Sequence, residues 1–339
     1  MRLRHWLIIG ALAVVAFFAA VLTGLDDFDL AEFESREIAF QSDGHTLRGT
    51  LLRPTGVADP PIAVIVHGDG PQDRFSDGGY LPLFHVLLDA GIGVFTWDKP
   101  GIGESEGNWL DQSMPDRSAE AITALQIIRD RDDVSSSRVG FLGFSQAGWV
   151  IPAATHEVTP AFAVLIGPAV NWQEQGSYFT RKRLEAEGAT ADEIDATIAA
   201  NTERDARIFA KDYVPGAEDL RGMTPDRFAF VARNHQADAT DDIAAMTGPV
   251  LAVWGADDLN VDAQTDAARY RTLLPDPNMQ SSLVIPDATH GLLRARFFNY
   301  QLADQWPAYS QALFLVAGRR AFAPDALDDI AKWIHVQVK

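Results

Sequence analysis

RVGFLGFSQAGWVIP, residues 138–152, is the stretch on which the reading of this chain turns. Val139, Phe141 and Leu142 form the short apolar run of a strand buried on both faces. Gly143, Ser145, Ala147 and Gly148 then concentrate small residues ahead of an apolar helical stretch. A strand that reverses sharply into a helix needs small residues on both sides of the turn. The residue at the apex is driven into a strained backbone conformation that lifts its side chain clear of the sheet. Here the apex is Ser145. Its hydroxyl is a candidate nucleophile, and the backbone N–H of Gln146, opening the helix, is a candidate oxyanion donor.

A serine hydroxyl is a poor nucleophile near neutral pH. It requires a base, and the base needs an orienting carboxylate. Downstream of Ser145, the apolar run 250–254 empties into Gly255-Ala256-Asp257-Asp258-Leu259-Asn260-Val261. The run 282–285 empties into Asp287-Ala288-Thr289-His290-Gly291. His290 is the candidate base. The other downstream histidines, His156, His235 and His335, do not follow a strand end with a glycine beside them. Asp257 and Asp258 are adjacent, and only one of them can address an imidazole.

The rest of the chain alternates strand and helix. Ile38 and Phe40, a turn signal at Asp43-Gly44, and Leu47, Gly49 and Leu51 read as a hairpin over residues 34–53. Buried strands are expected at 62–66, 93–97, 161–166, 250–254 and 282–285, with helices over 81–88, around Ile122, Leu125 and Ile128, over 265–274, and through Leu327, Ile330 and Ile334. This pattern predicts an α/β fold: a mostly parallel twisted sheet with helices on both faces, led by an antiparallel hairpin. Ligands collect at the carboxyl ends of such strands, where every motif here lies. Residues 171–246 break the rhythm with charged helical patterns and a capping box at Thr190 and Glu193. They read as a helical cap inserted into a core of residues 31–170 and 247–339. Trp172, Tyr178, Phe179, Phe209, Tyr213, Phe228 and Phe230 either line an acyl pocket or form the cap's own small core.

With 339 residues, 47% of them hydrophobic and 22% charged, the chain can bury a sizeable core. A formal charge of −19 argues against nucleic acid and gives no support for binding to anionic lipid. There is no cysteine, which excludes disulfides and a thiol nucleophile. Residues 1–30 read as a membrane anchor or signal segment. Arg2 and Arg4 precede an uncharged run over residues 6–25, long enough for a bilayer core of about 30 Å. An uncleaved anchor is favoured over a signal peptide, because Ala11 and Ala13 lie too early and Val21 with Thr23 is a poor cleavage pair. Either way the body is expected outside the cytoplasm, at the cell membrane or released from it.

HGDGPQDR (67–74), WDKPGIGESEG (97–107) and GFSQAGWVIP (143–152) together resemble a bacterial carboxylesterase group of the α/β-hydrolases, which is similar to serine-aminopeptidase-like domains. The resemblance covers roughly residues 34–339 and is weakest in the cap. One departure is visible: the family's G-x-S-x-G stands here as G-F-S-Q-A, its second glycine displaced to Gly148. The resemblance implies the chain order serine, acid, histidine. It favours Asp258 over Asp257, because Gly255, Asp258 and Val261 match the family's spacing. It also implies a second oxyanion donor in the main-chain N–H of Asp69, a loop-stabilising His67, and a structural loop at Asp98, Gly101 and Gly103. The Asp69 carboxylate must then point away or be paired, with Arg74 as candidate partner. The function implied is hydrolysis of a small carboxylic ester through an acyl-enzyme. A peptidase or amidase of the same fold, and a catalytically inactive tethered binding protein, are the alternatives. GIGESEG reads G-x-G-x-x-x-G and not a dinucleotide fingerprint, and no zincin, P-loop or calcium-loop spacing occurs, so no cofactor or metal is implied.

Overall fold

A computed structural model describes residue 19, residues 21–210 and residues 212–339. The apolar run at residues 6–25 falls largely outside the described residues. Among the described ones, no helix is long and apolar enough to cross a membrane.

Eight strands form one sheet in the order β1-β2-β4-β3-β5-β6-β7-β8. They are β1 (Glu34–Ser42), β2 (His45–Arg53), β3 (Ile62–Val66), β4 (Gly93–Trp97), β5 (Val139–Phe144), β6 (Ala163–Ile166), β7 (Val250–Gly255) and β8 (Gln280–Ile285). The pairs β1–β2 and β2–β4 are antiparallel, and every other neighbouring pair is parallel. The expected hairpin closes on Asp43 and Gly44, whose φ angles of +46° and +76° give the two left-handed positions of a tight turn.

Strand alternation explains the two-sided core. In β3, Ile62, Val64 and Val66 face one apolar layer while Ala63 and Ile65 face the other. Helices α1 (Leu81–Asp89) and α11 (Ala326–Gln337) cover the second layer. Helices α2 (Met114–Arg129), α3 (Ala147–Ala154) and α8 (Ala263–Leu273) cover the first. Four helices separate β6 from β7: α4 (Trp172–Ala186), α5 (Ala191–Ile208), α6 (Pro225–Asn234) and α7 (Thr240–Ala245). The capping box forms at the start of α5, where Glu193 accepts from the Thr190 N–H at 2.8 Å. The last of the four behaves as core: Ile243 and Met246 are buried in the first layer. Two further helices, α9 (Ala295–Phe298) and α10 (Ala308–Ala317), lie between β8 and α11 and bring Phe298 and Phe314 onto the second layer. No regular spacing in the sequence announces them.

The loops after β3 and β4 are joined by buried charge. Arg74 donates Nε to Asp98 Oδ1 at 3.0 Å and Nη2 to Asp98 Oδ2 at 2.6 Å. Its other guanidinium nitrogen reaches Thr50 and Glu37. Burial opposes ionisation of Asp98, yet the Arg74 bonds hold its carboxyl below the usual range. Gly103 is required beside this pair, since a Cβ there would lie 2.5 Å from Asp98 Oδ2. Arg74 is therefore engaged within the core and is not the partner of Asp69. Replacing Arg74 with Met would leave the Asp98 carboxylate buried and uncompensated. Urea unfolding should show a loss of about 3–5 kcal/mol; a loss below about 1 kcal/mol would mean the pair is dispensable.

Candidate active site

Ser145 follows the last residue of β5 with φ +49°, a left-handed conformation that a side chain resists. Three neighbouring choices of residue size make it tolerable. A Cβ on Gly143 would fall 2.5 Å from both Ala147 Cβ and Ile151 Cδ1, so the strand presses directly onto α3. The methyl of Ala147 is accommodated in that contact, wholly buried. One place later, a Cβ on Gly148 would lie 2.7 Å from Pro168 Cβ. The displaced glycine therefore serves the approach of α3 to the loop after β6, and the departure from G-x-S-x-G has a packing reason.

Asp258 and His290 meet across the ends of β7 and β8. His290 Nδ1 and Asp258 Oδ2 are 2.7 Å apart, while Asp258 Oδ1 accepts from the N–H groups of Asn260 (2.7 Å) and Val261 (2.9 Å). Asp258 is buried and Asp257 is exposed, so only the second of the adjacent pair reaches the imidazole. With Nδ1–H donating to the carboxylate, Nε2 is the free basic nitrogen. Gly255 is needed for this approach: a Cβ there would lie 2.2 Å from the carbonyl oxygens of Ala288 and Thr289. The serine and the histidine flank the end of β6. The Ser145 N–H donates to the Ile166 carbonyl at 2.8 Å. A Cβ on the next residue, Gly167, would sit 2.8 Å from Nδ1 and Cε1 of His290. Gly167 thus makes room for the imidazole and Gly255 for the backbone that carries it, roles that only the packed loops reveal.

The loop after β3 lies on the other side of Ser145, with the Cβ position of Gly68 3.4 Å from Ser145 Cβ. Among the described residues, the backbone N–H groups of Asp69 and Gln146 donate to no protein acceptor. His67 is buried, stacks on Tyr80 with ring centroids 5.8 Å apart, and shares a 2.5 Å hydrogen bond from Nε2 with the Trp97 carbonyl. Burial, with Lys99 nearby, lowers its pKa to about 3 and keeps it neutral. Arg117, buried on α2, spans both halves of the site: Nη2 donates to the His67 carbonyl at 2.6 Å and Nη1 to Gln146 Oε1. The Asp69 carboxylate is held by Arg227 of α6, with Nη1 to Oδ1 at 2.8 Å and Nη2 to Oδ2 at 2.5 Å. This is a correction to the expected Arg74 partner. The two residues are 158 positions apart, and no local signal links them.

The aromatics of residues 171–246 divide. Phe228 and Phe230 are buried, Phe230 against Trp109 and Phe228 against Phe209. The Tyr178 hydroxyl donates to the Asp258 carbonyl at 2.8 Å, bracing the acid loop. Trp172 and Phe209 line a partly open cavity of about 780 Å³ between residues of α4, α5, α6 and their connections. Ser145 and His290 are not in its lining. A possible metal-ligand grouping, Glu32, His85 and Asp89, sits at α1, where Arg319 already engages Asp89 at 2.8 Å.

This geometry carries a serine, a buried acid and a histidine just past the carboxyl ends of β5, β7 and β8 in the parallel part of the sheet. Residues 63–301 also match the family model described as the Alpha/beta hydrolase family. The chain belongs to that family. Among curated proteins, the Thermotoga maritima esterase EstD is 25% identical over 272 residues, covering 78% of this chain and 61% of that protein. The chain thus spans less than two thirds of that relative. The uncharacterized protein YfhR of Salmonella typhimurium is 26% identical over 261 residues, covering 76% of this chain and 75% of that one. Among solved structures, the Pyrococcus furiosus esterase Pf2001 aligns with a TM-score of 0.59 over 92% of this chain and 94% of that chain. At 16% identity, that likeness speaks for the hydrolase fold alone.

Two predictions test the site. Burial pushes the His290 imidazole toward its neutral form, but the charge and hydrogen bond of Asp258 outweigh it and raise the pKa above 6.5. A general base must be neutral to act, so with the candidate His290 in that role turnover should rise with pH along a limb centred above 6.5. In Asp258→Asn the limb should move to lower pH and kcat should fall roughly 10³- to 10⁴-fold; an unmoved limb would exclude the pair. The second concerns Asp69, still partly exposed, where partial desolvation opposes ionisation but the Arg227 bonds hold the carboxyl below its usual range. Arg227→Ala should lower kcat several-fold by freeing a carboxylate beside the oxyanion position. Adding Asp69→Asn should restore it, and a double variant no better than the single one would refute electrostatic interference.

Proposed function

We propose that the chain is a serine hydrolase that cleaves carboxylic esters through an acyl-enzyme. The observation that carries this reading is the 2.7 Å hydrogen bond between His290 and buried Asp258, beside a serine held at φ +49°. Ser145 Oγ attacks the ester carbonyl carbon as His290 Nε2 takes its proton. The oxyanion is received by the N–H groups of Gln146 and Asp69. The carbonyl re-forms, the alcohol leaves with the proton from His290, and the acyl group stays on Ser145. Water, activated by the same imidazole, then releases the acid and regenerates the serine. Asp258 stays ionised throughout and stabilises the transient imidazolium.

Membership of the Alpha/beta hydrolase family supports hydrolysis, and the esterases among its similar proteins favour the ester bond. The helices between β6 and β7 are proposed to cap the strand ends and shape the acyl pocket. We also propose that residues 6–25 tether this body to the outer side of a membrane.

A fluorophosphonate probe should label the full-length protein, and Ser145→Ala should abolish labelling. Persistent labelling of the variant, or none of the wild type, would remove Ser145 as nucleophile. The kcat/KM on short-chain aryl esters should exceed that on aminoacyl anilides, whereas the reverse order would assign a peptidase. Membranes washed with alkaline carbonate should retain the protein; its release would contradict the tether.

A further inference from the structure

Lys99 lies in the segment WDKPG and is 2% exposed, a rare state for a lysine. Its Nζ is not paired with a carboxylate. It donates instead to the Gly68 carbonyl at 2.6 Å and the Gly70 carbonyl at 2.8 Å, and lies 5.0 Å from the centroid of the Trp109 ring. Both carbonyls belong to the loop that carries Asp69. The family's reaction does not call for a buried amine at this place, and the proposed mechanism has not used it.

The geometry of one peptide unit gives it a task. The Gly68 carbonyl and the Asp69 N–H belong to the same planar trans amide, so they point in opposite directions. Fixing the oxygen toward Lys99 fixes the hydrogen away from it. The loop meets the elbow at this same residue, the Gly68 Cβ position lying 3.4 Å from Ser145 Cβ. A flip of this peptide turns ψ of residue 68 and φ of residue 69, and glycine at 68 offers little torsional resistance on its side. The Asp69 side chain is tied to Arg227, while among the described residues the Gly68 carbonyl is held by Lys99 alone. Arg117 performs the same service one peptide earlier, through the His67 carbonyl at 2.6 Å.

We infer that Lys99 is a positioning residue that clamps the Gly68 and Gly70 carbonyls and thereby aims the Asp69 N–H at the oxyanion position. The inference deepens the hydrolase reading and rests on it for its kinetic consequence, but the clamp itself is a matter of backbone geometry. An amine supplies two N–H bonds even when uncharged, so two carbonyl acceptors remain satisfied in either protonation state. When protonated, its charge also polarises the bridging amide and strengthens the Asp69 N–H as a donor.

The test compares full-length wild type, Lys99→Met and Lys99→Gln by crystal structure, by kinetics on an aryl ester, and by inhibition with an aryl trifluoromethyl ketone, whose serine adduct carries an oxyanion. In Lys99→Met the 68–69 peptide should rotate. The kcat should fall about 10- to 100-fold, less than the roughly 10²- to 10³-fold cost of removing an oxyanion donor outright, with KM changed far less. The inhibition constant should rise in proportion to the loss of kcat/KM. Lys99→Gln keeps a donating amide and should recover part of each effect. A merely structural lysine would lower the melting temperature without this split between kcat and KM. An unrotated peptide, or kcat and inhibition within about twofold of wild type in either folded variant, would overturn the proposal. If Lys99→Met fails to fold, Lys99→Gln decides. If the wild type hydrolyses no ester, the hydrolase reading fails, and the crystallographic comparison still decides the clamp.

Discussion

A serine backbone at φ +49° is uncomfortable for any residue with a side chain, and it persists only where the surroundings leave no alternative. Here β5 supplies the rigidity on one side, buried between β3 and β6 at every residue but Phe144. Helix α3 supplies it on the other, pressed so closely that Gly143 has no room for a methyl group. The strain is local, and the two-layer core that sustains it is the whole sheet. Residue size along this turn follows from that constraint, including the shift of the second glycine to position 148.

Around the turn, buried charge does the work of rigid framing. Lys99, Arg117 and Glu120 are all buried, and desolvation acts on each: it lowers the pKa of Lys99 and of Arg117 and raises that of Glu120. Such groups are unfavourable unless every polar atom finds a partner. Glu120 accepts from Trp97 Nε1 at 2.8 Å and Gln112 Nε2 at 2.7 Å, while the two cations spend their N–H groups on loop carbonyls and on Gln146. The arrangement is a poor source of net stability and a good source of directional constraint. It fixes the carbonyls of His67, Gly68 and Gly70 in the loop beside Ser145.

The helices α4 and α5 have a different physical character. Helix α4 buries none of its residues and α5 only Ile194 and Ile208. Sparse burial of this kind marks the less stable part of a fold. The ion pair from Arg227 to Asp69 ties α6 to the loop beside Ser145, so a shift of α6 and the electrostatics of that loop are coupled. The brace from Tyr178 to the Asp258 carbonyl does the same for α4 and the acid loop.

Several features were legible in the residues themselves because they are local. Strand periodicity, the Asp43-Gly44 turn, the Thr190–Glu193 capping box and the small residues around Ser145 are each encoded within a few positions, and the strand ends at Asp258 and His290 followed from apolar runs. Helices α9 and α10 were not legible, since their apolar residues serve a core surface and follow no clean helical face. The preference for Asp258 over Asp257 came from the family spacing of Gly255, Asp258 and Val261, and the burial of Asp258 against the exposure of Asp257 gives it a physical reason. Arg227 as the partner of Asp69, and Lys99 and Arg117 as holders of the loop carbonyls, are contacts across 158, 31 and 50 positions. Such pairings depend on which surfaces the folded sheet brings together, and a long charged side chain in a sequence carries no mark of the carbonyl or carboxylate that awaits it.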